Sequence, residues 1–301
     1  MNLTSGTLLE RGKYRIISTL GRGGFGITYL AEQVLMHRKV CIKEFFPKDF
    51  FKRDEGSDSI SILSAGQAST MSRFKEKFLK EAQTIAALDH PNIIHILDVF
   101  EENNTAYIVM EYVEGTTVKE MLKASPTGTL SYEETKKIIV PVLRGLSVIH
   151  KQGLIHRDIA PDNIIVTKEG QVKILDFGAA RFATANHSRS LSVILKPGYA
   201  PEEQYRSHGN QGPWTDMYEV GATMYRMLTG KLPQEASERL MEDHLKSPSQ
   251  LGINLPENVE NAIMNSLNIR AENRIQDAEQ FYNALCKGEE VKRIVVEETK
   301  E

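Results

Sequence analysis

The chain has 301 residues, 41% hydrophobic and 26% charged, with a net charge of −3. That is enough chain for one large core or two modest ones, and the slight acidity gives no reason to expect a nucleic-acid surface. Only Cys41 and Cys286 are present, far apart and outside any CxxC, which argues against a disulfide framework or zinc site and for a reducing compartment. The N-terminus lacks the basic and apolar regions of a signal peptide. Ile138–Leu143 is the most tempting apolar run, but it is short and flanked by Lys137 and Arg144, so the expectation is a cytoplasmic chain with no membrane segment.

Residues 14 to 44 read as three strands. Tyr14 to Leu20 alternates and stops at glycine. Gly21-Arg22-Gly23-Gly24-Phe25-Gly26 follows, then Ile27 to Ala31, then Val40-Cys41-Ile42-Lys43. A turn made mostly of glycine can lay backbone amides close to an anion, because no Cβ blocks the approach; a plain flexible turn has the same composition. No Gly-Lys-Ser/Thr follows and the next element is a strand, so this is not a Walker loop. Alternation puts Cys41 and Lys43 on one face; if that face covers a nucleotide, Cys41 packs near the base and Lys43 reaches the phosphates. The commoner fate of a lysine is solvated surface.

Pro47 to Thr70 is polar and reads as a long loop with one short strand at Ile60–Leu63. A helix over about 72–88 follows, with Phe74, Phe78, Ala82 and Ile85 as its apolar stripe. Glu81 on it is a candidate partner for Lys43, with Glu76 as rival. Ile93–Phe100 and Thr105–Met110 read as two more strands, and Glu111 to Gly115 as a linker between lobes. From there the pattern is helical: a short helix at Val118–Leu122, then one that Ser131 caps with Glu134 at N3, running to about Lys151 and ending at Gly153. Pro141 inside it predicts a kink. Ile164–Val166 and Val172–Leu175 form a hairpin, 179–198 reads as a mobile loop, and helices are expected near 215–228, 235–246, 257–268 and 276–286.

The centre of the chain is His156-Arg157-Asp158-Ile159-Ala160-Pro161-Asp162-Asn163, with Asp176-Phe177-Gly178 beginning thirteen residues after Asn163. An acid, an amide and a second acid at this spacing offer a base for a hydroxyl and two ligands for a hard cation. Phosphoryl transfer needs those parts, because its catalysis is mostly positioning and charge neutralisation. The two motifs flank the predicted hairpin, so both can point at one cleft.

Together these residues are identified as the motif set of eukaryotic-type Ser/Thr protein kinases, over roughly residues 12–287. The wording of Lys43-Glu44-Phe45-Phe46-Pro47, of the stretch from His156 to Asn163 and of Lys196-Pro197-Gly198-Tyr199-Ala200-Pro201-Glu202-Glu203-Gln204-Tyr205 is closer to bacterial members. The resemblance implies an α+β, bilobal kinase-like fold within a domain over 1–287. A small β-rich lobe, an antiparallel sheet plus one helix, would span about 12–110, with a hinge at about 111–115. A larger, mainly helical lobe would span about 116–287, followed by a charged tail, 288–301. It implies transfer of the γ-phosphate of ATP, with Mg²⁺, to Ser/Thr hydroxyls of protein substrates, the chain itself included through a transient dimer.

The resemblance also assigns roles. Gly21, Gly23 and Gly26 would cover the phosphates, and Lys43, held by Glu81, would contact the α- and β-phosphates. The backbone of Glu111 and Val113 would bond the adenine, with Met110 as gatekeeper and Thr28, Cys41 and Ile165 also at the nucleotide. Asp158 would orient the acceptor hydroxyl and take its proton, with Lys43 and Asn163 as its catalytic companions. Asn163 and Asp176 would hold Mg²⁺. Glu202 paired to Arg274, and Asp216 bracing the His156–Arg157 backbone, would hold the second lobe together.

Three positions depart from the pattern. Ala160 stands where Ser/Thr members usually have a lysine that steadies the γ-phosphate, and Leu195 stands where its threonine partner is expected. Lys196 is a nearby cation able to substitute. Thr28 replaces a valine that usually packs on the adenine. Two rival readings stay open: a pseudokinase scaffold that binds nucleotide without efficient turnover, and a kinase-fold small-molecule phosphotransferase. Ala160 also raises tyrosine specificity. Arg157 before Asp158 is the kind of arginine that binds a phosphate on the loop, for which Thr184, Ser188, Ser190 and Ser192 are candidates.

Overall fold

The computed structural model describes residues 2–24, 26–176, 195–206 and 209–286. They form two compact units, one holding 2–89 and 93–114, the other 90–92, 115–176, 195–206 and 209–286.

The first unit is built on a six-stranded antiparallel sheet. In chain order its strands are β1 (Leu8–Leu9), β2 (Tyr14–Arg22), β3 (Gly26–Gln33) and β4 (Arg38–Phe45). A separate two-stranded hairpin follows, β5 (Phe51–Arg53) and β6 (Ile60–Ile62), then α1 (Ala68–Ala86), β7 (Ile96–Glu102) and β8 (Thr105–Glu111). The sheet order is β1-β2-β3-β4-β8-β7, so β4 lies at its middle with Lys43 opposite Thr28 on one side and Ile108 on the other. Strand alternation gives β4 two different faces. Cys41, Lys43 and Phe45 share one face, and there Phe45 meets Phe78 of α1 at 5.4 Å between ring centroids. The expected stripe of α1, Phe74, Phe78, Ala82 and Ile85, is buried, together with Met71.

The opposite face of β4 buries a charge. Glu44 is fully buried, which is costly unless its oxygens are matched. Tyr29 donates to Oε2 at 2.8 Å, Tyr107 donates to Oε1 at 3.0 Å, and Arg53 of β5 forms an ion pair with it. Arg53 is in turn fixed by the Asp58 carbonyl at 2.9 Å. The stretch 47–70 is therefore not a loop with one strand: β5 of its hairpin meets Phe45 through Phe51, at 5.8 Å between ring centroids, and Glu44 through Arg53.

The second unit begins with β9 (Gly115–Thr117), which pairs with β10 (Ile164–Thr167) and through it with β11 (Val172–Ile174) in a small antiparallel sheet. Its helices are α2 (Val118–Ala124), α3 (Tyr132–Lys151), α4 (Glu202–Tyr205), α5 (Pro213–Thr229), α6 (Ala236–Arg239), α7 (Glu257–Ser266) and α8 (Ala278–Cys286). Ser131 and Glu134 close the predicted capping box of α3. The helix is continuous through Pro141. α5 is buried nearly all round. Its Gly221 lets α7 come close, because a Cβ there would meet the Ser266 hydroxyl at 1.9 Å.

The helix expected over 235–246 is only the single turn α6. Asp243 competes with its continuation by accepting from the Leu245 N–H at 3.1 Å and by pairing with buried Arg239. Among the described residues no helix is long and apolar enough to cross a membrane. The tail from 287, and the stretch from Phe177 to the candidate loop serines, lie outside the described residues.

Candidate active site

The stretch from His156 to Asn163 is held by its backbone. Asp216, fully buried at the start of α5, accepts from the N–H groups of His156 at 2.9 Å and Arg157 at 2.7 Å, as expected from the sequence. His150 of α3 supplies a third contact at 2.7 Å. Burial alone would raise the Asp216 carboxyl, yet these partners hold it below the ordinary carboxylate range. One turn further along α5, Glu219 accepts from Ile159 N at 2.6 Å, and Thr223 donates to the Ile159 carbonyl at 3.2 Å. Gln204 bridges from Glu219 to the Arg157 carbonyl. Glu219, Thr223 and Gln204 were missed in the sequence; the available signal was a polar face with i, i+3, i+7 spacing from Asp216 on a helix otherwise apolar.

That clamp joins the three candidate groups. Asn163 donates from Nδ2 to the Asp158 carbonyl at 2.8 Å, and Leu175 N donates to the Asn163 carbonyl at 2.8 Å, which brings Asp176 into line with the loop. Because Asn163 spends its donor on Asp158, its Oδ1 is left as an acceptor. With the Asp176 carboxylate it makes an oxygen-only pair, which fits a hard cation such as Mg²⁺ that keeps further oxygens from phosphates and water. Arg157 and Asp176 both have left-handed backbone, at φ 65° and 48°. Non-glycine residues adopt that region at a cost; of the seven that do so among the described residues, these two bracket the candidate site.

His156 locks the loop from inside. Its Nε2 faces the Leu175 carbonyl at 3.0 Å and its Nδ1 faces the Asp158 N–H at 3.2 Å. A carbonyl only accepts and an N–H only donates, so both contacts are satisfied by the neutral ring with its proton on Nε2. Burial pushes its pKa down against the pull of Asp216 and Asp158.

Lys196 stands beside the departure at Ala160. Its Nζ lies 3.1 Å from Asp158 Oδ1 and 2.6 Å from Asp162 Oδ1, spanning the acids on either side of buried Ala160. Burial disfavours its charge, but the two carboxylates prevail and raise its pKa. Leu195 beside it is half-buried.

The activation-segment pair is shifted by one residue from the expectation. Arg274 is held by Glu203, at 2.7 and 3.0 Å, not by Glu202. Glu203 also accepts from Thr215 at 2.9 Å, while Glu202 pairs with Arg206 one turn away. The inner acid of the Glu202-Glu203 doublet is the one that faces α5.

The first unit presents the other expected residues. Lys43 is buried on the face of β4 that packs on α1. Glu81 lies on α1 three residues after Phe78 and is half-buried, whereas its rival Glu76 is exposed. A Cβ at Gly26 would meet the Glu44 carbonyl at 2.6 Å, so this glycine is required by strand pairing itself. At Gly21 a Cβ would meet nothing within 4 Å among the described residues. Thr28 and Cys41 are half-buried on β3 and β4, and Met110 is buried on β8 opposite Cys41. Glu111 spends its N–H on the His95 carbonyl at 3.0 Å, and Val113 follows two residues on. In the second unit Ile165 is buried on β10.

The comparisons agree with this geometry. The protein kinase domain family matches residues 14–301. The serine/threonine-protein kinase PrkC of Bacillus subtilis is 33% identical over 84% of the chain and 37% of its own length. A probable serine/threonine-protein kinase of Clostridium perfringens, CPE1738, is 31% identical over 91% of the chain and 38% of its own length. The chain thus spans less than two fifths of these relatives. The solved structure titled PpkA-294 apo form is 31% identical, with a TM-score of 0.82 over 94% of this chain and 99% of that one. A single cysteine-to-alanine mutant of the Mycobacterium tuberculosis PknI kinase domain, at 21% identity and a TM-score of 0.69 over 95% of this chain and 99% of that one, shares the fold. With a motif set in order, a clamped Asp158 loop and a family match across nearly its whole length, the chain belongs to the protein kinase domain family, among bacterial serine/threonine-kinase relatives.

Proposed function

We propose that the chain transfers the γ-phosphate of ATP to Ser/Thr hydroxyls of protein substrates. The observation that carries this reading is Asp158, joined to Asn163 and paired with Lys196, on a loop whose backbone is fixed by Asp216 and Glu219. Such fixing is what positioning catalysis requires, since a displacement of about 1 Å can cost about 10²-fold in rate. Asp158 orients the acceptor hydroxyl and takes its proton. Lys196 sits where negative charge gathers between acceptor and phosphate, and takes the part of the lysine absent at position 160. Lys43 meets the α- and β-phosphates, with Glu81 holding it. Gly21, Gly23 and Gly26 lie over the phosphates, and Thr28, Cys41, Met110 and Ile165 surround the base. The adenine is met by the Glu111 carbonyl and the Val113 backbone. Mg²⁺, held by Asn163 and Asp176, supplies charge neutralisation on the phosphates when bound.

Asp158→Ala is expected to lower turnover by about 10²–10⁴, the usual worth of a positioned base. The test is phosphate transfer from Mg-ATP to protein substrates, with phosphoamino-acid analysis of the product. Near-normal transfer by Asp158→Ala would remove the base, and phosphotyrosine alone would remove the Ser/Thr assignment. No turnover by the purified chain would favour the scaffold reading. Self-phosphorylation through a transient dimer belongs to the same reading, and mass spectrometry after Mg-ATP addition reads it at Thr184, Ser188, Ser190 and Ser192.

A further inference from the structure

Beside the Asp158 loop the second unit has a cavity of about 390 Å³, and its charge is the reverse of the chain as a whole. Lys119, Lys123, Lys196 and Arg226 line it, with Asp162 the one carboxylate among them. Lys196 is already matched by Asp158 and Asp162. Arg226 donates from Nη1 to the Gly128 carbonyl at 3.0 Å, which satisfies one donor, and it forms no ion pair among the described residues. Lys119 and Lys123 form no ion pair among the described residues and stand four apart on α2. Like charges at that spacing repel across one turn, a cost that an anion between them would remove.

The cavity is fixed relative to the candidate base. Lys119 N donates to the Pro161 carbonyl at 2.9 Å, tying the first turn of α2 to the loop that carries Asp158. Lys196 belongs to both places, lining the cavity while its Nζ touches Asp158. Tyr199, whose phenol is pushed up to about 12 chiefly by burial, offers the cavity a neutral hydroxyl.

We propose that this cavity binds an anionic side chain of the protein substrate, aspartate, glutamate or a phosphorylated residue, lying close in sequence to the acceptor hydroxyl. The proposal rests on the protein-kinase reading above. An extended peptide advances about 3.3–3.6 Å per residue, so a side chain two to four positions from an acceptor at Asp158 has the reach. A volume of this size holds one side chain with its solvation, and ligand pockets begin at about 300 Å³.

The test uses peptides with one acceptor serine and with Asp, phosphoserine, Gln or Lys placed singly at each of four positions on either side. For the purified chain, kcat/KM is expected to be tenfold or more higher with an anion than with Gln at one or two neighbouring positions. A gain confined to phosphoserine assigns the cavity to previously phosphorylated substrates, and an equal gain with Asp assigns it to acidic ones. The double variant Lys119→Glu, Lys123→Glu is expected to invert the order, so that Lys at the same position becomes preferred. Because the readout is a ratio between peptides, a general loss of folded enzyme leaves it unmoved. Equal kcat/KM for Asp, phosphoserine, Gln and Lys at every position overturns the proposal, as does a preference that survives the double reversal. If no peptide is phosphorylated, the kinase reading fails by itself, and fluorescence anisotropy of labelled peptides decides the cavity. Tighter binding of the anionic peptide, lost on double reversal, sustains the site; equal binding of anionic and Gln peptides overturns it.

Discussion

Lys196 carries two carboxylates at once, and that arrangement shapes what each of them does. On the proposed reading, a cation 3.1 Å from Asp158 would already be in place when phosphate charge arrives, so little reorganisation would be needed. Lys196→Ala is therefore expected to lower kcat by about 10²-fold, the scale of removing one preorganised charge-stabilising group, with a small change in KM for ATP. Steady-state kinetics checks this; a change confined to KM would make Lys196 a binding residue only. His156 gives a second prediction at the same scale. Its folded pKa lies below the unfolded value of about 6.5, so the stability gained from its neutral ring is fully present above that value. It is lost as pH falls through the folded pKa. The thermal midpoint is expected to drop between about pH 7.5 and about 5.5, and nitrogen shifts should show a proton on Nε2 alone in the upper part of that range. A ring doubly protonated near neutrality would contradict the tautomer read from Leu175 and Asp158.

Among the elements, α4 and α5 decide how the segment after residue 195 is anchored. The Arg274–Glu203 pair is buried, and breaking such a pair costs about 3–5 kcal/mol because the survivor keeps an unmatched charge. Glu202 pairs with an Arg206 that is 58% exposed, so solvent screens that pair on the arginine side although Glu202 itself is only 11% exposed. Glu203→Ala should thus lower the urea midpoint far more than Glu202→Ala, and the opposite order would restore the pairing expected from the sequence. That one-residue difference shows where pattern reading stops. Two adjacent glutamates spell the motif equally well, and only the packing of α4 on α5 separates them. The stripe of α1 and the Ser131–Glu134 cap were legible because local periodicity and end chemistry set them. β5 was not, because Phe51-Lys52-Arg53 offers three residues with a charge facing inward, and its pairing with β6 is a tertiary fact. The order of Asp158, Asn163 and Asp176 was legible as a motif. Glu219 shared a polar face with Asp216 on α5, but its contact with Ile159, and that of Gln204 with the Arg157 carbonyl, join distant parts of the chain and could not be read from that spacing.

For the whole molecule, the proposed nucleotide ligands are divided between the two units, Lys43 in one and Asn163 with Asp176 in the other. A ligand that uses both stabilises both. Mg-ATP at about 100 times its dissociation constant is expected to add about 2.7 kcal/mol to the unfolding free energy, with both units melting later. Hydrogen exchange resolved along the chain reads the two separately; protection in one unit alone would confine binding to it. The sealed carboxylate of Glu44 has a further consequence, for how such chains diverge. Lys43 and Glu44 are neighbours with opposite outlooks, so a strand slipped by one residue would put the lysine among Tyr29 and Tyr107 and the glutamate toward α1. The tyrosine box thereby polices the alignment of β4. It also binds four distant positions to a common fate, because losing Arg53 alone strands a charge that losing both would not. Kinase chains lacking the hairpin of β5 and β6 should carry an uncharged residue where this one has Glu44, and a survey in which the acid persists without its arginine would show that the box is dispensable.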